Sequence, residues 1–114
     1  MKLETIRDGT VCTVKVAGRV VLENQGELRA ELEKLIEEGC LGIVLDLAEV
    51  DYMDSAALGC CAASYKQIQV KGGAMAVLHA SPTIEKLWKM IHLDRVIPLC
   101  GDAKEALAHL HRDD

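Results

Sequence analysis

With 114 residues the chain has room for one domain, 1–114, whose core needs no disulfide or metal to hold it. A formal charge of −5, no basic run longer than two residues and only three aromatics (Tyr52, Tyr65 and Trp88) exclude a phosphate-tracking or base-stacking nucleic-acid surface. No apolar run approaches the roughly 20 residues that span a bilayer, and Met1–Arg7 lacks the apolar segment of a secretory signal, so a cytoplasmic protein without membrane insertion is expected.

Leu3–Arg7 alternates apolar and polar residues, and Asp8-Gly9 is a turn signal, so Val11–Ala17 is expected to return as the second strand of an antiparallel hairpin. Gly18–Glu23 leads out of it by an extended connection. Asn24 and Glu27 have capping-box spacing ahead of an apolar stripe at Leu28, Leu32, Leu35 and Ile36, and Gly39 suits the left-handed close of that helix. Leu41–Leu47 is nearly all apolar, the pattern of a central strand buried on both faces. A helix over Ser55–Val70 follows, with Leu58, Cys61, Ala62, Tyr65 and Ile68 as its core stripe, ended by Lys71-Gly72-Gly73.

Ala74–His79 reads as another buried strand. Ser81-Pro82 is a cap with proline at the first helical position, and Ile84, Leu87, Trp88 and Ile91 give the third helix its stripe. Arg95–Leu99 is expected to be a short last strand. Asp102 and Glu105 form a second capping box, before Ala106, Leu107 and Leu110. The order is therefore ββαβαβαβα: an α/β fold with one layer of mixed, mostly parallel sheet of about five strands and four helices. Right-handed crossovers account for the parallel part, and the opening hairpin makes the sheet mixed.

Little in the chain reads as catalysis. The five cysteines (Cys12, Cys40, Cys60, Cys61 and Cys100) are odd in number, lack a C-x-x-C pair, and read as small buried hydrophobes. His109 and His111 are two apart on the expected last helix and point to different faces, so no metal ligand set is read there. There is no glycine-rich phosphate loop, nucleophile elbow or paired catalytic carboxylate, and no cofactor or enzymatic activity is expected. Asp46, Glu49, Asp51 and Asp54 gather near one strand end and read as a solvated acidic loop plus a cap. A receiver-type phospho-aspartate domain would need an acidic pair after its first strand, and none is present.

The informative stretch is Leu45–Gly59. Asp54 is a preferred N-cap residue, and it leaves the hydroxyl of Ser55 at the positive end of the helix, where phosphate is well tolerated. Opposite the core stripe the helix carries Ala56, Gly59, Cys60, Ala63 and Gln67, a flat face of small residues. That face either packs against a neighbouring helix of the same chain or docks a partner beside Tyr52 and Met53. A phosphate on Ser55 would bring about two negative charges to such a face and act as a binding switch.

Val50-Asp-Tyr-Met-Asp-Ser-Ala-Ala-Leu-Gly59 resembles the signature loop of the STAS domains, specifically that of the bacterial anti-sigma factor antagonists, commonly V-x-F-M-D-S-S-G-L-G. The resemblance extends to Ala17-Gly18, Ile43–Leu47, Lys71-Gly72-Gly73, Ser81-Pro82 and Asp102–Leu107, almost the whole chain. It implies a partner-switching protein that binds an anti-sigma factor, itself a serine kinase, and so releases a sigma factor. The kinase would use ATP to phosphorylate the residue matching Ser55, the complex would dissociate, and a phosphatase would restore binding. The partner-binding surface expected comprises Tyr52, Met53, Asp54, Ser55, Ala56, Ala57, Gly59, Cys60 and Ala63, on a monomer or weak dimer. Three departures stand out: Ala56 and Ala57 replace the usual Ser-Gly, Ala57 adding a methyl where a partner approaches, and Val21 stands where the family often has an aspartate near the phosphorylated serine. The loss of that carboxylate points toward a second role on the same fold, a STAS adaptor without a phosphorylation cycle, such as the cytoplasmic subunit of a lipid transport system.

Overall fold

Strand β1 (Lys2–Asp8) turns through Gly9, at φ +63°, into β2 (Val11–Val20), and the two pair antiparallel from Asp8 opposite Val11 to Lys2 opposite Ala17. The structure, a computed structural model, describes residues 1–110. Helix α1 (Gln25–Glu37) leads to β3 (Gly42–Met53), α2 (Ser55–Val70) to β4 (Ala74–Leu78), α3 (Pro82–Met90) to β5 (Leu99–Cys100), and α4 (Ala103–Leu110) closes the described chain. The sheet order is β1-β2-β3-β4-β5, with β2 through β5 mutually parallel, so the expected order and mixed sheet are both present.

The central strand shows why its sequence is apolar without alternation. Ile43, Leu45 and Leu47 enter the main core with Leu28, Leu32, Leu35 and Ile36 of α1, Cys61 and Ile68 of α2, and Ile84 and Trp88 of α3. Val44 faces the other way, into a small second cluster with Ala76, Leu78, Cys100 and Ala106, covered by α4. In β2 the buried set is Cys12, Val14 and Val16, while Lys15 between them is exposed. All five cysteines are buried and free, as their reading as small hydrophobes requires.

Two strands outrun their sequence signal. β2 continues to Val20 and β3 to Met53, paired in parallel as far as Val20 opposite Met53. Register shifts between Lys15 and Ala17 and between Gly18 and Arg19 re-phase the pair, so Val50 and Met53 point into the core although Glu49, Asp51 and Tyr52 around them are exposed. The expected extended connection is thus sheet as far as Val20 and a turn beyond it, the acidic stretch is sheet as far as Met53, and Gly18, at φ +94°, takes the left-handed bend beside one of those shifts.

The C-terminal third holds the other corrections. Arg95–Leu99 is not a strand: Leu93–Arg95 forms one 3-10 turn, and β5 is only Leu99–Cys100. Leu93 and Ile97, four apart, are both buried, a helical spacing hidden among strand-forming residues. Ile91 and Leu107, expected in apolar stripes, are exposed: Ile91 is the residue after the last turn of α3, and Leu107 lies on the solvent side of α4. His111 lies outside the described residues.

The caps divide similarly. Ser81 Oγ accepts from Ile84 N at 3.3 Å with Pro82 opening α3, and Asp102 Oδ1 accepts from Glu105 N at 2.8 Å. Glu105 reaches back to Gly101 N at 2.9 Å, one residue before the cap. Asn24 does not cap α1; its Oδ1 accepts from Val21 N at 2.9 Å and its Nδ2 donates to Arg19 O at 2.9 Å, so its amide ties down the 21–24 turn instead.

Candidate functional site

The ends of β2 and β3, lying side by side, deliver the 21–24 turn and the start of α2 to one place. Asp54 joins them. Its backbone N–H donates to Val20 O at 3.2 Å, its Oδ1 accepts from Ala57 N at 3.0 Å as the α2 cap, and its Oδ2 accepts from Leu22 N at 2.9 Å. One carboxylate therefore caps the helix and fixes the neighbouring turn.

The Ala57 N–H, opposed by partial burial and reinforced by the Leu22 N–H, holds the Asp54 carboxyl below the usual carboxylate range. Because its folded-state pKa is depressed, its contribution to stability is complete above the unfolded value near 3.8 and is lost as pH falls through the folded value. Asp54→Asn keeps a capping side chain but cannot titrate. Acid unfolding followed by circular dichroism is expected to be shallower below about pH 4 for the variant than for the wild type, and equal slopes would contradict this role.

Ser55 follows the cap, exposed, as the first residue of α2. Around it the surface consists of half-buried Ala56, exposed Gly59 and half-buried Ala63, with Tyr52 45 % exposed on the β3 end and the Arg19 guanidinium stacked over its ring at 4.8 Å. Leu22, 66 % exposed, projects from the turn that Asp54 anchors. It was not among the residues singled out from sequence, although an apolar residue in a polar turn is a usable sign of a contact surface. A Cβ built on Gly59 meets nothing within 4 Å, so the face is open there.

Three of the nine expected partner-binding residues leave the surface. Met53 is 2 % exposed and Ala57 and Cys60 are 0 % exposed; all belong to the main core. Cys60 faces α1, its Sγ lying 3.9 Å from Gln25 O, and Gln67 Nε2 reaches Glu33 Oε2 across the same helix pair at 3.4 Å. The small-residue face is therefore divided: its Cys60 side packs on α1, as the first of the two readings has it, and its Ser55–Gly59–Ala63 side is open to solvent. The methyl of Ala57 fills core rather than meeting a partner. Tyr52, Asp54, Ser55, Ala56, Gly59 and Ala63 remain accessible and contiguous with Leu22 and Arg19.

Other candidate chemistry is weaker. Asp46 accepts from Ala48 N at 3.1 Å, Asp54 is committed to two amides, and Glu49 and Asp51 are exposed on β3; the four are not gathered into a shared ligand set. Burial raises the Cys40 thiol to about 12 and pushes Cys60 and Cys61 up as well, which removes the thiolate a nucleophile needs.

The STAS domain family model matches residues 2–106. The chain belongs to the STAS domain family. The anti-sigma F factor antagonist of Paenibacillus polymyxa is 30 % identical to this STAS protein over 111 residues, covering 96 % of this chain and 95 % of that one. A crystal structure of an anti-sigma factor antagonist from Mycobacterium paratuberculosis matches with TM-score 0.86 at 21 % identity, covering 97 % and 94 % of the two chains. The Bacillus cell-fate determinant SpoIIAA in its phosphorylated form matches with TM-score 0.75 at 17 % identity, covering 95 % and 98 %. The structural likenesses establish a shared fold, and the sequence match places this STAS domain among relatives named as anti-sigma factor antagonists. No helix among the described residues is long and apolar enough to cross a membrane.

Proposed function

We propose that this STAS protein is an anti-sigma factor antagonist acting in the cytoplasm: it binds an anti-sigma factor that is also a serine kinase, releases the sigma factor, and is switched off by phosphorylation at Ser55. The observation that carries this reading is an exposed serine hydroxyl on the first turn of α2, set between the apolar Leu22 and Tyr52 and the small residues Ala56, Gly59 and Ala63. The domain supplies an acceptor hydroxyl and a docking surface; phosphoryl transfer from ATP is the partner's chemistry, and this chain has no catalytic role.

The physical logic is local. Unmodified, the surface is small-featured and apolar enough to exclude water against a partner. A phosphate on Ser55 adds about two negative charges to a rim that already carries Asp51 and Asp54. The positive end of α2 stabilises that phosphate within the free domain, so modification costs the fold little while an interface would have to desolvate it.

Gly59→Arg tests the surface directly. Open space around the Cβ position leaves the fold intact, and removal of a helical glycine favours the helix by about 0.5–1 kcal/mol. The expected result is an unchanged or higher Tm with loss of binding to the cognate anti-sigma factor in isothermal titration. Unimpaired binding would place the docking surface elsewhere. The adaptor reading draws on Val21, whose apolar side chain stands in the turn tied to Asp54 by the Leu22 amide; an adaptor would show no complex with any histidine-kinase-like ATPase, with or without the variant.

A further inference from the structure

On the far side of the sheet from the hairpin, three side chains of different chemistry converge. Cys100 ends β5 and is 6 % exposed; Glu105 and His109 lie four residues apart on α4, hence on one face of that helix. Their potential ligand atoms all lie within 4.8 Å of one another, the only such grouping of three or more among the described residues. We propose that Cys100, Glu105 and His109 form a three-ligand site for a divalent transition-metal ion of the zinc class, which clips α4 to the edge strand.

The donor set selects the metal. Thiolate, imidazole and carboxylate together suit zinc, cobalt and their neighbours, whereas magnesium and calcium demand all-oxygen shells. Ligand atoms about a tetrahedral zinc lie roughly 3.3–3.8 Å apart, so the present separations, all within 4.8 Å, close by about an ångström at most on binding. The rest of the site is arranged for this. Gly101 N donates to Glu105 Oε1 at 2.9 Å, orienting the carboxylate and leaving Oε2 free. The Cys100 Sγ makes only a long contact with Pro98 O at 3.9 Å. Glu105 opens to solvent and Cys100 to the small core, which gives an ion an entry path and an anchored inner ligand. Three protein ligands leave a fourth position for water.

The consequence for the fold is specific. β5 is two residues long, and α4 alone covers Val44, Ala76 and Leu78 on the outer face of the sheet, so the ion would pin a thin edge. His109 finds its companions in β5 and the preceding turn of α4.

Cobalt titrated into the reduced protein tests the assignment. The expected result is one equivalent bound with a thiolate-to-cobalt charge-transfer band in the near ultraviolet and intense tetrahedral d–d bands, both displaced by zinc. Cys100→Ser should abolish the charge-transfer band, and His109→Ala and Glu105→Gln should each weaken binding at least tenfold, while His92→Ala leaves it unchanged. Zinc should also raise the Tm of the wild type and not that of Cys100→Ser. An octahedral spectrum without a thiolate band, or wild-type affinity in Cys100→Ser or His109→Ala, would overturn the proposal; circular dichroism of each variant confirms that loss of binding is not loss of fold.

Discussion

Trp88→Ala is expected to destabilise the domain by about 3–5 kcal/mol in urea unfolding, the largest effect of any single truncation considered. Trp88 is fully buried and links the last helical layer to the core, among Ile84, Leu93 and Ile97. Its indole N–H donates to Ile97 O at 2.9 Å. That bond fixes the irregular chain after α3, where a 3-10 turn and a two-residue strand give the backbone few other partners. Alanine removes the ring volume and the donor together. Trp88→Phe separates the two contributions: it keeps most of the apolar area, leaves the Ile97 carbonyl unsatisfied in a buried site, and should cost about 1–3 kcal/mol. Because Trp88 is wholly buried and offers no surface to a partner, the truncation should lower stability without altering the affinity of the folded fraction for a partner. A cost below about 1 kcal/mol for Trp88→Ala would mean that the space closes by collapse, and that the ring does not organise this end of the core.

Ser55→Asp is expected to leave stability nearly unchanged and to weaken binding to the cognate anti-sigma factor by at least about tenfold, that is by roughly 1.4 kcal/mol or more. The two halves of the expectation have separate causes. Ser55 is exposed, so the fold loses no contact, and an aspartate at the first helical position is favoured by the helix dipole while repelled by Asp54. In a complex the same carboxylate would be desolvated between Leu22, Tyr52 and Gly59 beside the existing acidic groups. Ser55→Ala removes only a hydroxyl and should bind within a few-fold of the wild type. Equal affinity for the serine and aspartate forms, measured by isothermal titration, would contradict a charge-operated switch at this position.

How much of this was legible in the sequence varied with the physics of each element. The α2 helix was readable to its limits, Ser55–Val70, because both ends are written locally: Asp54 caps one, and Gly72, at φ +83°, follows the other. The α1 stripe was readable because its four apolar residues all meet one sheet face. The second half of β3 was not, since its polar residues are legitimate on an exposed sheet face and the re-phasing that buries Val50 and Met53 comes from register shifts against β2, a tertiary property. The same limit applied to the site. Ser55, Asp54 and Gly59 were visible as residue types in a pattern. Which small residues of α2 face α1 and which face solvent depended on the packing of two helices, and it moved Cys60 and Ala57 into the core. Leu22 became part of the site only through its amide bond to Asp54, thirty-two residues away in sequence.

The most direct test of the partner-switch account is the intact mass of the protein after incubation with its cognate anti-sigma kinase and ATP. The account predicts a gain of one phosphate, absent in Ser55→Ala and accompanied by dissociation of the complex. A protein that forms the complex and remains unmodified would contradict it, leaving a constitutive binder.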